Sequence, residues 1–497
     1  MTPSEPAVVL PSPAATPSFA ERLRPAGSQL IVALGLGIAA EVFLDRAAGI
    51  GHALFAIIAG IAIATSGGRE TWHRAKEHRW LLAAAVLLMS SSMLHTAEWL
   101  SAMTTLSSLL LFAIALQGWT GERPLHALRT GDVITAPIIS SAHALYAGGA
   151  VTAHGLASAK ISSTFARYAP AALRLMVIVF PPVLILLALL SSGDVVFRAR
   201  LASIANAVFG VEVEGFIRGS LVIGTTAWFG AGALAITTRR RDGHVVTEPR
   251  RFMRHFEGLT LLGSLTALLL FFGLTSTPCA LAPASCELPA GVTYADAAHE
   301  GFFQLLFAAL GILVLLMALP ARVQLESRAT KLAFTALSTV LVLATMPMVI
   351  SGVARLWRYE TTYGLTVLRL LAYAGLFLVS AVLAWRAVTL WAFRNAFVGG
   401  AIALFTTTLL ALAALSPDHF IATRNMSMQR PDYSYLLRLS DEALIPLVEQ
   451  IDVSVDIDVR DDVRGELRRR ALAISGSSGL DWNPSRAKAD TALSVLR

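Results

Sequence analysis

Long apolar blocks alternate with shorter polar connections along most of the chain. Each block has roughly 17 to 22 predominantly apolar residues, which is enough for a helix to cross a hydrocarbon core of about 30 Å. This pattern predicts about eleven transmembrane helices, and the first two are joined by a tight hairpin or an interfacial bend. The predicted spans are 28–44, 50–66, 80–96, 100–119, 171–192, 220–238, 259–275, 302–320, 332–351, 367–388 and 396–415.

Composition agrees with a bilayer as the solvent for these blocks. Of the 497 residues, 55% are hydrophobic and only 15% are charged. A soluble domain of this length could not hide so much apolar surface in one core. We therefore predict an all-α fold: a polytopic transmembrane helix bundle with a small helical extramembrane region at the carboxyl terminus.

The positions of Lys and Arg predict the orientation of the bundle. These residues are concentrated in the connections between spans two and three, six and seven, and eight and nine, whereas residues 276–300 contain none. Cationic loops stay in the cytoplasm, so the amino terminus is predicted to be cytoplasmic and the carboxyl terminus extracytoplasmic. The net charge of +7 has the same origin, and we expect membrane lipids, not nucleic acid, as partners.

The pattern divides the chain into five regions. Four spans at 28–119 and seven at 171–416 are the membrane part, and 417–497 is an extracytoplasmic helical domain. In that domain one helix is predicted to begin at Ser440 as its N-cap and another to cover about 461–474. The remaining regions are a disordered cytoplasmic tail at 1–27 and a cytoplasmic amphipathic segment at 120–170.

Motifs of common soluble enzymes are missing from the sequence. The stretch from Gly35 to Ala40 imitates a dinucleotide-binding loop, but it lies inside an apolar span, where small residues allow close helix packing. No metal-ligand spacing and no cofactor-binding motif is found, so we expect neither a metal nor a cofactor. Cys279 and Cys286 share one predicted external loop, where they form either a disulfide or two free thiols.

Three polar motifs in the second half resemble a known family. They are Tyr294–Leu305, Arg355–Arg369 and Pro417–Asn425, the last followed by Asp432–Leu436 and Leu439–Asp441. Together they resemble the uncharacterised bacterial membrane proteins grouped as "domain of unknown function 4173", with the 4153 group close behind, over about 276–447. The resemblance implies a multi-pass protein of the bacterial plasma (inner) membrane and implies no activity. Ser416 stands where the family more often has Asn before Pro-Asp.

On the predicted topology all three motifs fall on the external face. Polar residues that converge in this way form either a ligand site or a junction that docks the carboxyl-terminal region on the bundle. The residues of this hypothesis are Glu300, Gln304, Arg355, Arg358, Tyr359, Tyr363, Arg369, Asp418, Arg424 and Asn425.

Three functions are compatible with the sequence. The favoured one is a non-enzymatic scaffold or sensory protein of the bacterial cell envelope, possessing an envelope-protein partner. The alternatives are a transporter of a small or lipidic solute and a membrane enzyme acting on a lipid-linked substrate at the outer surface. A water-filled cavity at Arg369 or Arg174 would favour transport. An unpaired carboxylate in a lipid-accessible groove at the outer surface would favour an enzyme. Full pairing of the motif charges with one another would favour a scaffold.

Overall fold

The computed structural model describes residues 27–44, 48–66, 72–73, 75–120, 213–237, 253–281, 306, 308–393, 396–428, 431–454, 457–474 and 479–496. Every regular element in these ranges is helical, and the one β-contact among them is an isolated bridge between Met253 and Val323. The chain forms two compact units, one of residues 1–38 and 141–240 and the other of residues 39–140 and 241–497.

Fifteen α-helices are named here in chain order. In the amino-terminal part they are α1 Gly27–Leu44, α2 Ile50–Ser66, α3 Arg79–Ser90, α4 Glu98–Thr120 and α5 Val213–Thr237. The next group contains α6 His255–Leu281, α7 Ala308–Ala318, α8 Arg328–Tyr363, α9 Val367–Trp391 and α10 Phe397–Ala414. The carboxyl-terminal region contains α11 Pro417–Met426, α12 Tyr433–Leu436, α13 Leu444–Ser454, α14 Ile457–Ile474 and α15 Pro484–Leu493.

Five of the described helices are long and apolar enough to cross a membrane: α4, α6, α8, α9 and α10. Five more helices, α1, α2, α3, α5 and α7, contain shorter apolar stretches of 10–17 residues. The predicted count of about eleven spans is therefore not confirmed, and the predicted span 171–192 lies outside the described residues. Large apolar side chains such as Leu268, Phe271 and Leu343 are exposed along these helices, as expected of surfaces that face lipid.

The first unit contains a close contact between α1 and α5. A Cβ atom on Gly37 would overlap the carbonyl oxygen of Ile223 and would lie 3.0 Å from the Cβ of Ala227. Only glycine allows the two backbones this approach, so the interpretation of this stretch as a helix-packing motif is confirmed at Gly37.

The core of the second unit lies between α6, α7, α8 and α9. Leu262, Leu316, Leu341 and Leu383, one from each of these helices, are almost completely buried in a single hydrophobic cluster. The segment before α6 and the segment after α7 are held together by two backbone hydrogen bonds, from Met253 to the carbonyl of Arg322 at 3.1 Å and from Gln324 to the carbonyl of Met253 at 2.8 Å.

Helix α8 is longer than the predicted span. Its 36 residues are about 54 Å long, well beyond the thickness of a hydrocarbon core. The predicted end at Ser351 is wrong: the helix runs through Pro347 and continues to Tyr363, so Arg355, Arg358 and Tyr359 are helical residues and not a connection. Gly273 of α6 makes room for the proline, because a Cβ there would lie 3.1 Å from the Pro347 Cβ.

The carboxyl-terminal region has its own small core. Ile421, Leu444, Leu447, Leu467 and Leu493, contributed by α11, α13, α14 and α15, are all fully buried. The predicted helix at about 461–474 corresponds to α14. The prediction at Ser440 needs correction: it precedes a single 3-10 turn, Asp441–Ala443, its hydroxyl makes no capping bond, and α13 begins only at Leu444.

Several predictions concern residues that the structure does not describe. These are the tail before residue 27, the amphipathic segment from residue 121 onward, Cys286, Glu300 and Gln304. The backbone of Cys279 lies in the last turn of α6, since this helix extends to Leu281 and not only to residue 275 as predicted.

Candidate functional site

The first group of polar contacts surrounds Glu360, near the end of α8. Its carboxylate is buried, with 8% of the residue exposed. One oxygen accepts a hydrogen bond from Arg424 Nε of α11 at 3.1 Å, and the other accepts from the Tyr373 hydroxyl of α9 at 2.8 Å. The carboxylate thus links two apolar helices to the carboxyl-terminal region, and we call this group the Glu360 junction.

Asn425 extends this junction to the connection between α8 and α9. The Leu365 N–H donates to Asn425 Oδ1 at 2.6 Å, and Asn425 Nδ2 donates to the Leu365 carbonyl at 2.8 Å. A buried side-chain amide therefore satisfies both backbone groups of a buried residue. Gly364 makes the approach possible because its φ is +79° and a Cβ would lie 3.0 Å from Asn425 Oδ1.

Arg369 closes the carboxyl end of α8. Its guanidinium donates to the carbonyls of Tyr363, at 3.1 Å, and Gly364, and it lies 4.4 Å from the ring centroid of Tyr359. The Tyr359 and Tyr363 rings are themselves 4.8 Å apart. A cation at the last carbonyls of a helix is favoured by the helix dipole, and the aromatic face adds a cation–π contact.

A second group of contacts surrounds Glu442, which is 1% exposed, and we call it the Glu442 junction. Its carboxylate accepts from the N–H of Thr96, before α4, at 3.3 Å and from the N–H of Asp418, in α11, at 3.1 Å. In return the Glu442 N–H donates to the Thr96 hydroxyl at 3.2 Å. Burial and then the neighbouring Asp418 charge raise the pKa of Glu442 to about 7, so this carboxyl titrates near neutrality.

Asp418 belongs to this second group. One carboxylate oxygen accepts from the Trp99 indole N–H at 3.4 Å and the other from the Ser440 N–H at 3.0 Å. Asp441 follows directly and forms ion pairs with Arg470 at 2.7 Å and Arg486 at 3.4 Å.

Asn483 forms a third attachment, which we call the Asn483 junction. Its Nδ2 donates to the carbonyls of His95 at 2.8 Å and Ser92 at 3.3 Å, while its Oδ1 caps α15 by accepting from Ser485 and Arg486. Nearby, the Ser485 hydroxyl donates to the Leu94 carbonyl at 2.7 Å. The turn between α3 and α4 is therefore held by residues close to the carboxyl terminus.

A cavity of about 950 Å³ adjoins the Glu442 junction. Its polar side includes Arg438, Asp441, Arg470 and Arg486, and its other wall is one face of α4. A smaller cavity of about 480 Å³ adjoins the Glu360 junction, where Glu360, Arg424 and Asn425 line it. Within the described part of the chain, no group of three His, Cys, Asp or Glu residues is arranged to hold a metal ion.

The structure divides the predicted site residues between these groups. Tyr359, Tyr363, Arg369, Arg424 and Asn425 lie at the Glu360 junction, with Arg355 and Arg358 at most two turns earlier on α8, whereas the contacts of Asp418 are at the Glu442 junction. Glu360, Glu442 and Asn483 are not among the residues predicted from the sequence. Two of the three could have been found from local sequence signals. Glu360 is inside the second motif, and the Asn-Pro pair at 483–484 is a helix-start signal.

The helices and their polar attachments define an all-helical membrane protein whose carboxyl-terminal region is packed against the connections between apolar helices. The chain belongs to the family described as "Domain of unknown function (DUF4153)", and the match covers residues 82–450. The predicted relation to the 4153 group is thus supported, the 4173 assignment is not confirmed, and the shared region begins earlier than the predicted 276. No curated protein and no solved structure matches the chain.

Proposed function

We propose that this protein is a non-enzymatic scaffold or sensory protein of the bacterial cell envelope, with its carboxyl-terminal region docked on the outer face of an inner-membrane helix bundle. The observation that carries the proposal is the mutual pairing of the motif side chains. Arg424 and Asn425 of α11 engage Glu360 and Leu365, and Asp418 engages Trp99 and Ser440. Groups paired in this way hold a junction together.

The pairing of the connections supports the topology of this proposal, with about eleven spans, a cytoplasmic amino terminus and an extracytoplasmic carboxyl terminus. Contacts with the carboxyl-terminal region are made by Ile50, by Thr96 and by Leu365 and Val367. On the predicted topology all three connections lie outside. The segments joined by the Met253–Val323 bridge are both assigned to the cytoplasm.

An envelope-protein partner would meet the exposed side of the carboxyl-terminal region. Leu472 of α14 and Val495, just after α15, are 69% and 83% exposed, and a 3-10 turn at Ser494–Leu496 packs against α14. Apolar side chains left open on an extramembrane surface are a common feature of protein interfaces.

The two alternative functions have less support. For a transporter the expected feature is an arginine in a water-filled cavity, but Arg369 caps the end of α8 and contacts Tyr359, and Arg174 lies outside the described residues. For an enzyme the expected feature is an unpaired carboxylate among the motif residues, but Asp418 accepts hydrogen bonds from two donors and is 2% exposed, and Glu300 lies outside the described residues.

A complementation experiment separates the scaffold from the enzyme. A strain lacking the gene is profiled for envelope stress and metabolites, and then complemented with Asp418→Asn, Asn425→Ala or the control Thr423→Ala. Asn at 418 cannot act as an acid or base and keeps one of the two hydrogen-bond acceptors, whereas Ala at 425 leaves both Leu365 backbone groups unsatisfied.

At normal membrane abundance we expect Thr423→Ala to restore the wild-type profile, Asp418→Asn to restore most of it because one of its two contacts is kept, and Asn425→Ala to fail. Limited proteolysis of the three variants reports docking independently, and only Asn425→Ala should release the carboxyl-terminal region. Loss of complementation by Asp418→Asn, with complementation retained by Asn425→Ala, would instead establish a catalytic carboxylate.

A further inference from the structure

The cavity beside the Glu442 junction has a polar end and an apolar end. One face of α4 forms its long wall, with Glu98, Ser101, Ala102, Thr105, Leu106 and Leu109 in succession. These positions recur every three or four residues and extend over about 16 Å of helix. The wall therefore runs from the polar carboxyl-terminal region onto the apolar surface of a helix that is long enough to span a membrane.

The apolar end of the wall is open. Leu106 and Leu109 are 61% and 51% exposed, and Thr105 lies between them and the polar end. On a membrane helix such exposed leucines face hydrocarbon chains. A ligand that occupies the whole cavity must accordingly be polar at one end and apolar at the other.

The charges at the polar end indicate what kind of head group fits. Arg470 and Arg486 share the Asp441 carboxylate as their ion-pair partner, and the Asp418 carboxylate accepts hydrogen bonds from Trp99 and Ser440. Two exposed charged side chains on the cavity wall remain, Arg438 and Glu98, and neither makes a hydrogen bond or ion pair from its side chain within the described part of the chain. The site thus offers one cation and one anion to a ligand.

We propose that this cavity binds a zwitterionic glycerophospholipid whose head group carries a phosphate and a primary amine. The Arg438 guanidinium meets the phosphate, the Glu98 carboxylate meets the ammonium group, and an acyl chain lies along Leu106 and Leu109. Guanidinium groups bind phosphate oxygens through paired hydrogen bonds, and the exposed leucines offer van der Waals contacts to the acyl chain. This inference goes beyond the scaffold proposal, and the substitutions that test it are at positions other than those that test the scaffold.

Binding is measured with the full-length protein in detergent, using phosphatidylethanolamine labelled on its acyl chain so that the amine stays free. Arg438→Gln and Glu98→Gln should each weaken binding by about tenfold, because each removes a hydrogen bond to a charged group. Lys488→Gln, at an exposed position of α15 outside the cavity lining, is the matched charge-loss control and should leave binding unchanged.

Two comparisons identify the chemistry of the ligand. Acyl-labelled phosphatidylglycerol lacks the amine, so it should bind more weakly than phosphatidylethanolamine and should be indifferent to, or helped by, Glu98→Gln. Leu109→Ser should weaken the binding of phosphatidylethanolamine, whereas Leu110→Ser, at an exposed neighbour that does not line the cavity, should not.

Two outcomes would overturn the proposal. Equal binding of the two lipids, with no effect of either charge substitution, would show adsorption of lipid to an apolar surface only. Water-soluble phosphoethanolamine that binds as tightly as the lipid, with no effect of Leu109→Ser, would replace the lipid by a soluble zwitterion. Thermal melting of each variant in the same detergent verifies that the fold is retained.

Discussion

At the scale of single residues, Ser416 stands out by its backbone conformation. Ser416 has φ 51° and ψ 71°, a left-handed conformation that L-residues other than Asn and Asp rarely adopt. It is the last residue before Pro417, which begins α11, so this conformation is part of the connection from α10 to α11. Asn suits the left-handed conformation better than Ser.

Replacing Ser416 by Asn should therefore stabilise the protein by roughly 0.5 kcal/mol, because Asn populates the left-handed region more readily. Thermal unfolding in detergent measures the change. Ser427→Asn is the control, since Ser427 has an ordinary φ of −78° and should show no such gain. A destabilised Ser416→Asn protein would contradict the explanation.

The second single-residue prediction concerns Glu442 and pH. Its pKa is about 7 in the folded protein and near 4.5 when exposed, so the folded state holds more protons between these two values. Its contribution to stability is fully present below about pH 4.5 and is lost as the pH rises through 7, a change of up to about 3 kcal/mol. The wild type should thus lose more stability than Glu442→Gln when the pH is raised from 5 to 8.

The groups that face Glu442 determine how this experiment is interpreted. Asp418 and Asp441 carry like charge, Thr96 supplies an N–H and a hydroxyl, and the His419 ring lies 3.3 Å from the Glu442 carbonyl. Histidine side chains ordinarily titrate in this range, so the informative quantity is the difference between the two melting curves at each pH. If the stability of wild type and Glu442→Gln falls equally with rising pH, the Glu442 carboxyl is not the cause of the pH dependence.

At the scale of elements, the end of α8 decides how the carboxyl-terminal region attaches. The helix ends at Gly364, whose φ of +79° and ψ of 170° belong to a region that is almost exclusive to glycine. The chain then presents Leu365 to Asn425 and begins α9 with Thr366 as its N-cap, where the hydroxyl accepts from the Arg369 N–H. Three residues thus connect two membrane helices and carry the main attachment of α11.

Gly364→Ala and Gly375→Ala should have opposite effects. At 364 a methyl group meets both the unfavourable backbone conformation and Asn425 Oδ1 at 3.0 Å, so we expect a loss on the order of 2 kcal/mol. At 375, inside α9, a Cβ would meet no atom within 4 Å, and Ala should stabilise the helix by about 0.5 to 1 kcal/mol. Thermal unfolding and protease sensitivity of the carboxyl-terminal region test both, and the same sign for both would contradict this account.

The helices were largely predictable from the sequence, and their contacts were not. The bounds of α2 coincide with the predicted span 50–66 because that block is uniformly apolar and flanked by polar residues. The end of α8 was missed because Arg355, Arg358 and Glu360 interrupt the apolar pattern, although polar residues suit a helix that extends beyond the lipid. Glu360 was missed as a site residue because its partner Arg424 is 64 positions away.

At the scale of the whole molecule, membrane topology is the property from which the proposed docking on the outer face follows. A membrane-impermeant maleimide can test it in a background with both native cysteines replaced by Ser. Lys488→Cys, at an exposed position in α15, should be labelled in intact spheroplasts. Glu326→Cys, exposed in the segment before α8, should be labelled only after permeabilisation. The reverse pattern would place the carboxyl-terminal region in the cytoplasm and remove the basis for an envelope scaffold.

The Asn483 junction also has a consequence for how the protein is made. Asn483 is 388 residues after His95 and 391 after Ser92, yet it supplies the hydrogen bonds that both carbonyls require. During synthesis α3 and α4, which flank this turn, are inserted long before Asn483 leaves the ribosome. The turn between them therefore lacks these hydrogen bonds until the segment around Asn483 has been made. A premature stop shortly before codon 483 would accordingly destabilise α3 and α4, which are translated early. Quality-control proteases would then cleave the protein near these helices.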